Sequence, residues 1–92
     1  MDVHVRDLRY FLAVAQELSF THAAERLYVS QPALSKQIRS LERQLRVDLF
    51  ERDGRTVKLT RAGAELLPHA EHMLDSWETR SGRCRRPATA RS

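Results

Sequence analysis

The chain has 92 residues, with 16 Lys and Arg against 12 Asp and Glu, a formal net charge of +4. That length supports one small domain with a modest core, and no apolar run approaches the length of a membrane span. A single cysteine, Cys84, excludes an internal disulfide and a cysteine metal cluster, which suits a reducing cytoplasm, and the charged start MDVHVRDLRYF is unlike a signal peptide.

The charge is unevenly placed. Residues 80–92 hold five arginines and no acid. Setting those five aside from the 16 leaves 11 basic residues against 12 acids, so the remainder carries a net −1. Within residues 30–61, however, eight basic residues face only four acids. A local basic surface on an acidic body is the layout expected for contact with nucleic acid at one face.

A first helix is predicted from residue 5 or 7 to residue 17, with Leu8, Phe11, Leu12, Ala15 and Leu18 as its apolar stripe. Ser19 or Thr21 caps a second, ending near residue 27, with Ala23 and Ala24 small enough for close helix approach. Ser30 caps a third over residues 31–45, with Gln31 and Pro32 in its first turn. Leu34, Ile38, Leu41 and Leu45 are spaced four, three and four apart and form one apolar stripe. The opposite face carries Pro32, Lys36, Arg39 and Arg43, with Gln31 and Ser35 at its edge. Such a helix suits the DNA major groove. From the residues alone, that face could equally be a solvated one capped by Ser30.

Residues 47–52 and 56–59 are short, apolar and β-prone, and Asp53-Gly54 between them signals a hairpin turn. This makes a two-stranded wing, with Arg52 and Arg55 flanking the turn and Lys58 following. Thr60 caps a fourth helix, with Glu65 placed in its first turn, favourable to the helix dipole. Leu66, Leu67, Ala70, Met73, Leu74 and Trp77 form its broad apolar stripe, and Pro68 inside it predicts a kink. Met73, Leu74 and Trp77 are expected to be exposed in a monomer, so the stripe predicts a homodimer through the same helix of a second copy. The fold class is therefore mainly α: a winged helix-turn-helix over residues 1–60, with a three-helix core, then a long dimerising linker helix over residues 61–80. Residues 81–92 read as a disordered basic tail.

Other chemistry finds little support. His69 and His72 with Glu65 have helical ligand spacing, but one helix of donors reads better as an exposed face, so no metal and no cofactor are expected. No nucleophile–base pair, glycine-rich phosphate loop or paired carboxylate points to an enzyme.

Four motifs occur in order: LRYFLAVAQELSF, AAERLYVSQPALSKQIRSLE, LFER and LTRAG. Together they closely resemble the N-terminal DNA-binding domain of LysR-type transcriptional regulators over residues 5–80. The resemblance implies base reading by Gln31, Pro32, Ser35 and Lys36, and a phosphate contact at Ser30. It also places Thr21 and His22 near the DNA backbone and Arg52 and Arg55 in the wing. Arg39 joins these contacts, whereas Arg43, far from the helix start, is assigned to solvent or a salt bridge. Two copies would set recognition helices in successive major grooves of double-stranded DNA at an interrupted palindrome.

Three departures from the family pattern stand out. Lys36 occupies a position where arginine is more usual, so the bidentate fork for guanine is missing. Arg46 stands where a glycine commonly ends the recognition helix. Family members usually continue into an effector-sensing domain, so a small-molecule effector is expected to bind only through a domain missing from this chain. The rival expectation is a winged-helix protein-interaction or dimerisation module without DNA readout. It explains the fourth-helix stripe but not a polar, basic face that begins at Gln31-Pro32.

Overall fold

A computed structural model describes residues 3–54 and 56–80, with side chains described as far as Asp75. Arg55, the Trp77 side chain and the tail from residue 81 therefore lie outside the described residues. The order of elements is α1 (Val5–Glu17), α2 (Phe20–Leu27), α3 (Gln31–Leu45), β1 (Phe50–Asp53), β2 (Thr56–Leu59) and α4 (Arg61–Arg80). This is the expected mainly helical winged helix-turn-helix.

Each helix start follows from a local hydrogen bond. The His4 amide donates to Asp7 Oδ2 (3.0 Å), which satisfies an amide at the start of α1. Ser19, rather than Thr21, caps α2 by accepting from the His22 amide (3.1 Å). Ser30 accepts from the Ala33 amide (3.2 Å) and caps α3. Thr60 accepts from the Gly63 amide (3.0 Å) and caps α4.

The first three helices end the same way. Leu18 (φ 48°), Tyr28 (φ 61°) and Arg46 (φ 61°) adopt the left-handed conformation, and none is glycine. Each cap amide returns to a carbonyl of the last turn, such as Leu18 N–H to Val14 O at 2.7 Å.

The core gathers the inner stripes of all four helices. Phe11, Val14, Ala23, Leu34, Ile38 and Ala70 are wholly buried. Ala23 and Ala24 are inward-facing, as their size predicts. Asp7 is the one buried charged residue among those described, and it is partnered: Gln37 Nε2 donates to Asp7 Oδ1 (3.0 Å), tying α1 to α3.

The wing differs from the sequence expectation at one end. β1 starts at Phe50, three residues later than predicted, because Glu42 reaches from α3 to accept the Leu49 and Phe50 amides (2.8 and 3.2 Å). Those bonds anchor the chain to α3 ahead of the ladder. β1 and β2 are antiparallel, with Phe50↔Leu59, Glu51↔Lys58, Arg52↔Val57 and Asp53↔Thr56 in register. Gly54 takes φ +61° at the turn.

Helix α4 runs through Pro68 without interruption. Pro68 is exposed, as is Ala64 one turn before it, whose carbonyl loses its helical donor on a side open to water. Glu65 lies beyond the first turn, so the predicted dipole contact is corrected to an exposed ion pair with Arg61 (3.5 Å). The predicted exposure of Leu74 is also corrected. Leu74 and Ala70 join the buried core, with α4 packed chiefly on α1, so neither is free to meet a partner. Leu66 and Leu67 are partly buried against that core, and Met73 remains 46% exposed.

Candidate nucleic-acid interface

The front of α3 is open where the sequence places it. Ser30, Gln31, Pro32, Lys36 and Arg39 are exposed, and Ser35 is half-buried. The inner stripe forces this orientation: with Leu34, Ile38 and Leu41 wholly enclosed, Pro32, Lys36 and Arg39 on the opposite side must face outward. Arg43 is exposed and makes none of the ion pairs found among the described residues. Ala33 is also exposed in the first turn and was not among the predicted contacts. Its methyl group has the chemistry to meet a thymine methyl.

The start of α2 meets the start of α3. Thr21 Oγ1 donates to Gln31 Oε1 (3.3 Å), which engages the amide oxygen and leaves the two N–H donors of this exposed residue free for other partners. Thr21 and His22 are both exposed beside that contact. One surface thus gathers Thr21, His22, Ser30, Gln31, Ser35 and Lys36. All are polar, and the helix dipole adds positive potential at its start.

Arg52 turns from the wing towards the helices. Its guanidinium lies over the Phe20 ring at 4.2 Å from the centroid. Nη1 donates to Ser35 Oγ (2.9 Å), while Nη2 is enclosed without a hydrogen-bond partner among the described residues. Burial and then the neighbouring Arg39 charge push its pKa below the ordinary arginine value, with Glu42 opposing. Within the domain, Arg52 thus braces the wing against α3. The reason is tertiary: the strand register turns it towards α2 and α3. Its platform Phe20 follows the cap residue Ser19 and carries no sequence signal beyond being apolar. Lys58 is exposed on β2, and Arg55 lies outside the described residues.

A family model described as "Bacterial regulatory helix-turn-helix protein, lysR family" matches residues 5–64. The chain belongs to the LysR family. Among relatives of this LysR-family chain, the Hca operon transcriptional activator HcaR of Escherichia coli K12 is 50% identical over 84 residues, covering 91% of the chain and 28% of that protein. An HTH-type transcriptional regulator from the ibpB-leuC intergenic region of Azotobacter vinelandii is 54% identical over 71 residues, covering 77% and 49%. The chain thus spans less than half the length of these relatives.

Solved structures of LysR-family DNA-binding domains superpose closely. The BenM domain in complex with benA site 1 DNA matches at TM-score 0.82 and 42% identity, covering 86% of this chain and 92% of that one. The CbnR domain in a DNA complex matches at TM-score 0.83 and 39% identity, covering 86% and 91%. The four helices and two-stranded wing described above are therefore the winged helix-turn-helix of this family. No helix among the described residues is long and apolar enough to cross a membrane.

Proposed function

We propose that this chain binds double-stranded DNA sequence-specifically, as the DNA-binding domain of a LysR-type transcription regulator acting in the bacterial cytoplasm. The observation that carries the reading is the open first two turns of α3, from Ser30 to Lys36, capped and aimed outward beside Thr21 and His22. Folds of closely similar shape in DNA complexes support it.

Base contacts from Gln31, Pro32, Ser35 and Lys36 supply specificity, with Ala33 adding an apolar contact. Ser30, Thr21, His22, Arg39 and the wing supply phosphate contacts and hence a salt-dependent share of the affinity. Two copies joined through α4 read an interrupted palindrome. Met73 and the outer edges of Leu66 and Leu67 face the partner, with Trp77 placed on the same helix. An effector acts through a further domain of the intact regulator.

Binding to a pool of palindromic duplexes, followed as salt is raised, tests the reading. The expected result is specific binding at low salt that weakens steeply as salt increases. Undetectable binding to every duplex at low salt would refute it.

A further inference from the structure

We propose that Arg52 sets the base preference of Ser35, holding its oxygen as an acceptor so that the Ser35 O–H donates to an acceptor on a base edge. The inference rests on α3 being the DNA-reading helix.

A serine hydroxyl has one donor and two acceptor positions, so an unconstrained one reads bases with little discrimination. In a helix it also tends to turn back onto a carbonyl of the preceding turn. Here one acceptor position is taken, and no bond from Ser35 Oγ to a carbonyl of the preceding turn is found among the described residues. Arg52 Nη1 donates to Ser35 Oγ at 2.9 Å, occupying one lone pair with a cationic donor. The adjacent positive charge polarises the hydroxyl, strengthening it as a donor and weakening it as an acceptor.

The guanidinium is held firmly enough to impose this. It stacks 4.2 Å over the Phe20 ring, which is buried. Phe20 in turn meets Phe50 edge-on at 6.0 Å, and Phe50 lies 5.5 Å from Phe11 in the core. The pairing Arg52↔Val57 fixes its backbone in the wing. Arg52 is therefore a positioning residue that acts through Ser35.

The consequence is directional. Guanine O6 and N7, adenine N7 and thymine O4 are acceptors, whereas the amino groups of cytosine and adenine are donors. A base amino group at Ser35 would meet only the remaining lone pair, beside a positive charge. Lys36, the next residue, is a donor alone, so the two neighbouring readers share one polarity.

Selection of bound duplexes by the wild-type chain, Ser35→Ala, Arg52→Met, Arg52→Lys and the double variant Ser35→Ala/Arg52→Met tests this, followed by affinities on single-base variants of the selected site. The wild type should prefer an acceptor base at the Ser35-dependent position by about fivefold, the effect of one hydrogen bond. Ser35→Ala and Arg52→Met should each lose that preference at that position alone, and the double variant should lose no more. Arg52→Lys should restore part of what Arg52→Met loses.

Retention of the preference in a folded Arg52→Met variant, or an equal loss at every position, overturns the proposal. The wild type tests the direction even where Arg52→Met does not fold: a Ser35-dependent position that favours cytosine, whose edge offers only an amino donor, overturns it. Failure of the wild type to select any duplex is a different result, and refutes the DNA reading itself.

Discussion

Replacing Gly63 with alanine should destabilise the domain by about 2 kcal/mol. A Cβ at this position would overlap the Leu49 carbonyl oxygen and come within 2.8 Å of Leu59 Cδ2. The leucine side chain can rotate away, but the carbonyl cannot. Leu49 O accepts from the Thr60 amide (3.0 Å), and the Leu49 amide is held by Glu42 (2.8 Å). Relief therefore requires moving either the start of α4 or the strand entry, and overpacking of this kind costs about 1–3 kcal/mol. Because backbone is fixed on both sides, the upper end applies. The greater helix propensity of alanine returns about 0.5–1 kcal/mol. A net loss of about 2 kcal/mol should lower Tm by roughly 10 °C in a domain of this size. Thermal unfolding followed by circular dichroism at one fixed protein concentration measures it, since association would otherwise shift the midpoint. A Tm equal to or above that of the wild type would show that the close approach of α4 to Leu49 is wrong. Gly54→Ala is the contrasting case. Among the described residues, chain neighbours aside, nothing lies within 4 Å of its added Cβ, so the strained φ of +61° decides the cost, at about 1 kcal/mol.

Three further outcomes are expected. Gln31→Ala should weaken binding to a preferred site by about 1–3 kcal/mol and leave random DNA nearly unchanged in a competition assay; equal losses on both would place Gln31 on the backbone. Arg46→Gly should raise stability by about 1 kcal/mol, because a side chain at φ 61° is relieved of its left-handed strain, and an unchanged urea midpoint would contradict that. Met73→Glu puts a charge at an exposed apolar residue of α4 and should shift a dimer towards monomer, whereas an unchanged mass in sedimentation would remove Met73 from the interface.

The helices and turn were legible because their signals are local. Ser30 ahead of Gln31-Pro32 specifies where α3 begins, and Leu34, Ile38 and Leu41 specify which side turns inward. The open face from Gln31 to Lys36 follows from that stripe. Asp53-Gly54 likewise places the turn. The late start of β1 was not legible, because it depends on Glu42, seven residues before Leu49, reaching across to take two amides. The α4 stripe is plain in the sequence, but apolar spacing cannot say which neighbour covers it. Only the packing of α4 on α1 assigns Ala70 and Leu74 to the core and leaves Met73 outside.

By itself, then, the sequence determined the element order, the caps of α3 and α4 and the outward face of α3, each through contacts between residues a few positions apart. The tertiary structure alone decided what Arg52 does. Its partners are Ser35 and Phe20, 17 and 32 residues away, and no local pattern distinguishes an arginine that projects from a wing from one that turns back onto the helix beneath it.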